Sequence, residues 1–267
     1  MFMHFLGGYR RMKKKGLFTF ICMLLLSALV LSGCGFENLV AGNKGEEGKE
    51  DKEEVNLEEL AKRYANTLLA YLYEGKKGNI KDVTGMDGDD LTASLERSVY
   101  EKKIRDYPGD DWVLLVDGSR YTAEQIMQDY SRVYLKTFHS ITYSVEDVKI
   151  SNDTAEVTAK IDPIAMLSLA NRITQARAEV FGDLETSAEI LKSQNKDVKA
   201  INNLINFKLY SMIYGDQNKP VPTGGEEKEI TFTMKKSGDH FQVSKDTIED
   251  IMQDSMEDVY SKSSGDK

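Results

Sequence analysis

The chain is predicted to be an α+β protein: several helices packed on an antiparallel sheet built from two hairpins, with a helical insertion between the hairpins. Three observations predict it. From residue 57 to residue 138 apolar side chains recur every three or four positions, as on one face of a helix. Between Tyr143 and Ile161, and again between Ile230 and Val243, they alternate every second position, as on one face of a strand. Residues 164–215, which separate these stretches, return to the helical period. Segregated runs of helix and hairpin are the pattern of an α+β architecture.

The first helix should open at Asn56-Leu57-Glu58-Glu59, which has the form of a capping box. Leu60, Ala61, Tyr64, Ala65, Leu68, Leu69 and Leu72 form its apolar stripe, and Gly75 and Gly78 end it. A second helix is predicted from about Asp90 to Asp106, with Leu91, Leu95, Val99 and Ile104 inward and Pro108-Gly109 as the break. Trp112 to Val116 reads as a strand or a buried connector. The third helix starts where Thr122 and Gln125 form a capping box, Tyr121 being placed to staple onto Ile126. Met127, Tyr130, Val133, Tyr134 and Phe138 continue its stripe.

The first hairpin has Tyr143, Val145, Val148 and Ile150 in one strand, and Ala155, Val157, Ala159 and Ile161 in the other. It turns at Ser151-Asn152-Asp153 and stops at Pro163. Two or three helices follow, with breaks at Gly182 and Gln194-Asn195. Ile201, Leu204, Ile205, Leu209, Met212 and Ile213 form the stripe of the last. Ile230, Phe232 and Met234, a turn at Ser237-Gly238-Asp239, and Phe241 and Val243 make the second hairpin. A closing helix buries Ile248, Ile251 and Met252, with Asp246 and Glu249 as its expected capping pair. The folded part is expected to be one domain, residues 55–262, followed by a disordered tail, residues 263–267.

Ahead of the domain, Lys13-Lys14-Lys15 precedes an apolar run from Leu17 to Leu31, which ends in Leu31-Ser32-Gly33-Cys34. A basic region, an apolar region and small residues at a cleavage point make a signal peptide, residues 1–33. The terminal cysteine makes the stretch resemble the lipobox of bacterial lipoproteins. That resemblance implies a diacylglycerol thioether on Cys34, cleavage before it, and a mature N-terminus with two acyl chains, enough for stable attachment. The apolar run falls short of the roughly 20 residues a spanning helix needs. Met12 is the expected start codon, since Met12 onward reads as a conventional basic region. Residues 34–54, rich in Gly, Lys and Glu, are expected to be an acidic flexible tether with a mean span of roughly 25 Å.

The signal segment takes 33 of the 267 residues and five of the 35 basic side chains, but no acidic one. It therefore leaves 234 residues with 30 basic and 44 acidic side chains, a formal charge of −14. Such a charge argues against nucleic acid as a partner and against direct adhesion to anionic lipid, so the acyl anchor must hold the membrane. Cys22 is removed and Cys34 is consumed, which leaves no thiol for a disulfide, a nucleophile or a metal.

Val83-Thr84-Gly85-Met86 and Lys160-Ile161-Asp162-Pro163, in this order of elements behind a lipobox, resemble a family of Gram-positive surface lipoproteins whose shared domain has no assigned function. The helix-then-sheet plan also resembles the cystatin-like or nuclear-transport-factor-like superfold, which hosts many activities and so implies none. The helical stretch between the hairpins departs from that superfold.

Catalytic and metal-binding chemistry is thinly represented. His139 is expected to end the third helix and His240 to sit exposed in a turn. No zinc-protease, nucleophile-elbow or phosphate-loop motif occurs. Asp87-Gly88-Asp89-Asp90 imitates a calcium loop, yet starting at Asp82 puts Asp87, and starting at Asp87 puts Thr92, where the loop glycine belongs. The cluster reads better as the acidic start of a helix. Asp110-Asp111-Trp112 offers carboxylates beside an aromatic, but a lone tryptophan in an apolar run belongs in a core. Tyr64, Tyr71, Tyr130 and Tyr134 could line a cavity, although packing accounts for them better.

The expected function is a non-enzymatic binding or interaction module on the outer face of the cytoplasmic membrane, with neither cofactor nor metal. A small-ligand or transport-associated binding protein is the alternative. An envelope hydrolase using Asp110 and Asp111 comes last.

Overall fold

A computed structural model describes residues 56–215, 219–224 and 226–257. Cys34 and the expected signal segment, tether and tail lie outside the described residues. The fold is α+β. A four-stranded antiparallel sheet has the order β3-β4-β5-β6, from β3 (Tyr143–Ser151), β4 (Thr154–Ile161), β5 (Lys228–Ser237) and β6 (His240–Gln242). A separate two-stranded hairpin comprises β1 (Val113–Val116) and β2 (Ser119–Thr122). The helices are α1 (Leu57–Glu74), α2 (Ile80–Thr84), α3 (Gly88–Ile104), α4 (Ala123–Thr137), α5 (Met166–Glu179), α6 (Phe181–Ser193), α7 (Val198–Tyr214) and α8 (Lys245–Asp254). Among the described residues no helix is long and apolar enough to cross a membrane.

Ala155, Val157, Ala159 and Ile161 of β4, with Ile230, Phe232 and Met234 of β5, point to one face of the sheet and are buried there with α1 residues Leu68, Leu69 and Leu72. The opposite face carries Glu156, Thr231 and Thr233 outward. A second apolar cluster joins Trp112, Leu114 and Val116 to Ile126 and Met127 of α4, Leu184 and Leu191 of α6, and Ile201, Leu204 and Ile205 of α7. The helical insertion thus brings a core of its own and shares α4 with the main one.

The helix ends follow from the side chains at them. The Asn56 carboxamide accepts from the Glu58 and Glu59 N–H groups, and Asp87 does the same for Asp89 and Asp90. Thr122 and Gln125 close both bonds of their box, at 3.0 and 3.3 Å. Asn195, in the left-handed region at φ 60°, ends α6, with Lys196 N–H bonded to Leu191 O and Asn195 N–H to Lys192 O.

Several expectations need correction. The second helix begins at Gly88 rather than Asp90, because Asp87 caps it. A one-turn helix, α2, precedes it and buries Ile80 and Val83. α5 and α6 part at Val180, not Gly182, which lies in the first turn of α6; one glycine costs a helix only about 1 kcal/mol. Ser244, not the Asp246/Glu249 pair, caps α8 by accepting from Thr247 N–H at 3.1 Å. Glu249 instead accepts from Ser98 on α3, at 2.6 Å, and from Lys102. On α7, Met212 is 39% exposed, whereas Lys208, Tyr210 and Tyr214 take inward positions. The Lys208 ammonium lies 3.4 Å from the centre of the Tyr121 ring, so its stem packs while its charge meets a π face.

The outer strand β3 protects its own edge. The pairing register skips Glu146, a bulge that interrupts any regular docking surface. The Asp147 carboxylate accepts from Val148 N–H at 3.0 Å and pairs with Lys149 at 3.5 Å. A related device serves β1, where Ser187 of α6, 1% exposed, stands in for a neighbouring strand. Its hydroxyl accepts from Leu115 N–H at 2.8 Å and lies 3.2 Å from Leu115 O. Replacing Ser187 by alanine removes the partner of that partly buried N–H, so Ser187→Ala is expected to cost about 1 kcal/mol. The midpoint of urea unfolding measures it; an unchanged midpoint would show that water reaches Leu115.

Candidate functional site

Two clefts flank the segment Thr142-Tyr143, where α1 ends, the chain leaves α4 through a 3-10 turn (Phe138–Ser140), and β3 begins. The larger, about 570 Å³, is lined by Asn66, Tyr73, Glu74, His139, Ser140, Ile141, Thr142 and Tyr143. The smaller, about 340 Å³, shares Thr142 and Tyr143 and adds Ser144, Lys160, Asp162 and Glu227 among others. Both are open clefts with mostly polar walls rather than enclosed apolar pockets.

The geometry has local causes. Asn66, Tyr73 and Glu74 are spaced by seven and eight residues, which puts them on one face of α1. Gly75 terminates α1 in the left-handed region at φ 68°, and the His139 ring lies against it. A Cβ at position 75 would sit 2.8 Å from His139 Cε1, so this glycine supplies both the turn and the room for the imidazole. Ser140 accepts from Val221 N–H at 3.3 Å, and Thr142 O accepts from Asp162 N–H at 3.0 Å; these bonds pin the segment between the clefts.

Electrostatically the larger cleft is close to balanced. Glu74 pairs with Lys76, which holds its carboxyl below the usual range. Burial, reinforced by Glu74, pushes the Tyr143 phenol up to about 12. His139 is exposed at the rim, but the packing of its ring, with the Lys136 charge, lowers its pKa below the ordinary value. Asn66, His139, Ser140, Thr142 and Tyr143 are therefore uncharged hydrogen-bonding groups at neutral pH.

The residues singled out in the sequence are dispersed. His240 is not an exposed turn histidine: β6 starts with it, it is half-buried, and its Nδ1 is hydrogen-bonded to the Tyr64 hydroxyl. Tyr71 shares a hydrogen bond with Thr92 at 2.7 Å. Tyr130 and Tyr134 belong to an aromatic cluster with Phe138, Phe207, Tyr210 and Tyr214. The four tyrosines thus line no common cavity. Asp87 is occupied by helix N–H groups, and Asp89 by Lys77. Asp111 pairs with Lys196 at 2.6 Å, and that ammonium lies 4.9 Å from the centre of the buried Trp112 ring. Among the described residues no three His, Cys, Asp or Glu side chains come together as metal ligands. Of the candidate catalytic and metal-binding residues only His139 lines a cleft, and of the two marker stretches only Lys160-Ile161-Asp162-Pro163 reaches one, the smaller. Asn66 and Glu74 lay on the polar side of the α1 stripe, and their common face was the one signal that could have found them.

No protein-family model and no curated protein matches the chain. Among solved structures, a Bacillus subtilis subsp. subtilis chain named "putative lipoprotein (ycdA)" is similar, with 14% identity and a TM-score of 0.46. The match covers 76% of this chain and 57% of that one, so this chain spans little more than half the length of that protein. At that level neither fold nor function transfers.

Proposed function

We propose that this chain is a lipid-anchored protein on the outer face of the cytoplasmic membrane of a Gram-positive bacterium, and that it works by binding rather than by turnover. The observation that carries the anchor is Leu31-Ser32-Gly33-Cys34 behind a basic cluster and an apolar run. Binding is favoured over hydrolysis because Asp111, half of the Asp110-Asp111 carboxylate pair, is engaged by Lys196 and held below the usual carboxylate range by it. The clefts beside Thr142-Tyr143 are the place where binding would occur. They serve equally the alternative of a small-ligand or transport-associated binding protein. Membership of the surface-lipoprotein family belongs to the same proposal; its two marker stretches are turning points, at the end of α2 and the end of β4.

Cys34→Ala is expected to abolish incorporation of labelled palmitate and to move the protein from the membrane to the soluble fraction. Fractionation of cells expressing both forms, with metabolic labelling, reads the result. An alanine variant that still sediments with membranes and still carries label would defeat the anchor. Crosslinking in intact cells, against an unrelated lipidated control domain, tests the binding role.

A further inference from the structure

The clefts beside Thr142-Tyr143 have a chemistry that selects among ligands. In the larger one Asn66 provides a carboxamide, His139 an imidazole, and Ser140, Thr142 and Tyr143 hydroxyls. Every one of these groups can both donate and accept. The single charge on that lining, Glu74, already has a cationic partner in Lys76. An anionic ligand would find no free cation there and would face Glu74. A cationic one would have to displace Lys76. A ligand whose own groups are hydroxyls, each donor and acceptor at once, can satisfy the lining without leaving a charge unpaired. Tyr143, half-buried, adds a flat ring on which the apolar face of a sugar can rest.

We infer that this site binds a neutral, polyhydroxylated chain of the glycan class. The sugar unit in the larger cleft meets Asn66, His139 and Tyr143, and the chain passes Thr142 into the smaller cleft toward Ser144, where the carboxylates of Asp162 and Glu227 outnumber the Lys160 ammonium and so also disfavour an anion. The shared wall of Thr142 and Tyr143 is what makes more than one unit the natural length. The inference rests on the reading that these clefts are the protein's binding site. It adds the class of ligand.

The test is isothermal titration of the full chain in detergent micelles with four probes: an N-acetylglucosamine tetramer, a glucose tetramer, spermidine and inorganic phosphate. Saturable binding of at least one neutral tetramer is expected, the pair distinguishing an amino-sugar source from a plain hexose source. Tyr143→Ala should weaken it by about tenfold or more, and Asn66→Ala, a gentler change on the helix surface, by about fivefold. Thermal unfolding of both variants confirms that they are folded. Absence of binding by both tetramers overturns the inference, and so does binding that neither substitution alters. Spermidine binding that Glu74→Gln abolishes would keep the clefts as a binding site but assign them to amines. Failure with all four probes, while Cys34-dependent attachment and a crosslinked partner persist, would remove the glycan and leave the anchored binding module standing.

Discussion

Tyr210→Ala is expected to destabilise the protein by about 3–5 kcal/mol, the usual cost of truncating a large buried aromatic. Tyr210 is 6% exposed on α7, and its ring centre lies 5.2 Å from those of both Tyr130 and Tyr214. Tyr130 in turn lies 4.5 Å from Phe207 and 5.6 Å from Tyr134, and Tyr134 lies 5.3 Å from Phe138. These rings are the contact between α4, which serves both cores, and α7, the last helix of the insertion. Removing one opens a cavity bounded by rigid groups that cannot collapse into it. Tyr210→Phe retains the ring and loses only the hydroxyl, so about 1 kcal/mol is expected. For a domain of this size the alanine variant should melt roughly 10 °C lower. Chemical denaturation with an unchanged slope would confirm a loss of native stability. A loss below about 1 kcal/mol for Tyr210→Ala would mean that the insertion is not tied to the rest through this cluster.

Strong local signals carried most of the fold. The Thr122/Gln125 box, the switch to alternation at Tyr143 and the Gln194-Asn195 stop are all decided by residues within a turn of one another, so a linear reading captures them. The β1–β2 hairpin shows the opposite case. Asp117 and Gly118, at φ 48° and 74°, form the two-residue turn that Asp-Gly favours. That turn signal was present, but Ser119-Arg120-Tyr121-Thr122 does not alternate, because β2 is largely exposed. Its partner β1 is held from the other side by Ser187, 72 residues later, and no local pattern announces such a contact. The same holds for His240, whose bond to Tyr64 spans 176 positions, and for Glu249, drawn away from a capping role by Ser98 and Lys102.

The candidate site was legible only in part for the same reason. The groups of the larger cleft come from α1, the 3-10 turn and the start of β3, and none of these belongs to a motif; only the smaller cleft takes in Lys160, Ile161 and Asp162 of the lipoprotein-like stretch. His139 was visible as the histidine at a helix end; what it packs against depends on Gly75, 64 residues earlier. The proposed anchor at Cys34 is the reverse: a lipobox-like stretch is a signal for an unfolded chain, so the linear sequence alone suffices to propose it.

Above pH 10 the protein is expected to lose stability steeply and to unfold cooperatively, with its buried tyrosines ionising only as it does so. Burial raises the pKa of Tyr73, Tyr107, Tyr130, Tyr134 and Tyr210 well above the ordinary phenol value of 10, since a phenolate would lose its hydration there. The direction follows from proton counts. Below pH 10 both the folded and the unfolded chain keep these phenols protonated, and they contribute no pH dependence. Above it the unfolded chain releases the protons while the folded chain retains them, so stability falls as pH rises through the window between the two pKa values. Each such tyrosine costs about 1.4 kcal/mol per pH unit, and five together cost roughly 7 kcal/mol per unit. That is comparable to the whole stability of a typical domain, about 5–15 kcal/mol, which places the transition about one to two units above pH 10. Accessible tyrosines ionise first, near pH 10, and the later phase of phenolate absorbance should coincide with the loss of far-ultraviolet circular dichroism. Replacing Tyr130 and Tyr134 with phenylalanine removes two of the titrating groups and should flatten the pH dependence by about two protons. Gradual ionisation of the buried tyrosines near pH 10 with the helical signal intact would refute the account, because it would mean that water already reaches the rings that join α4 to α7.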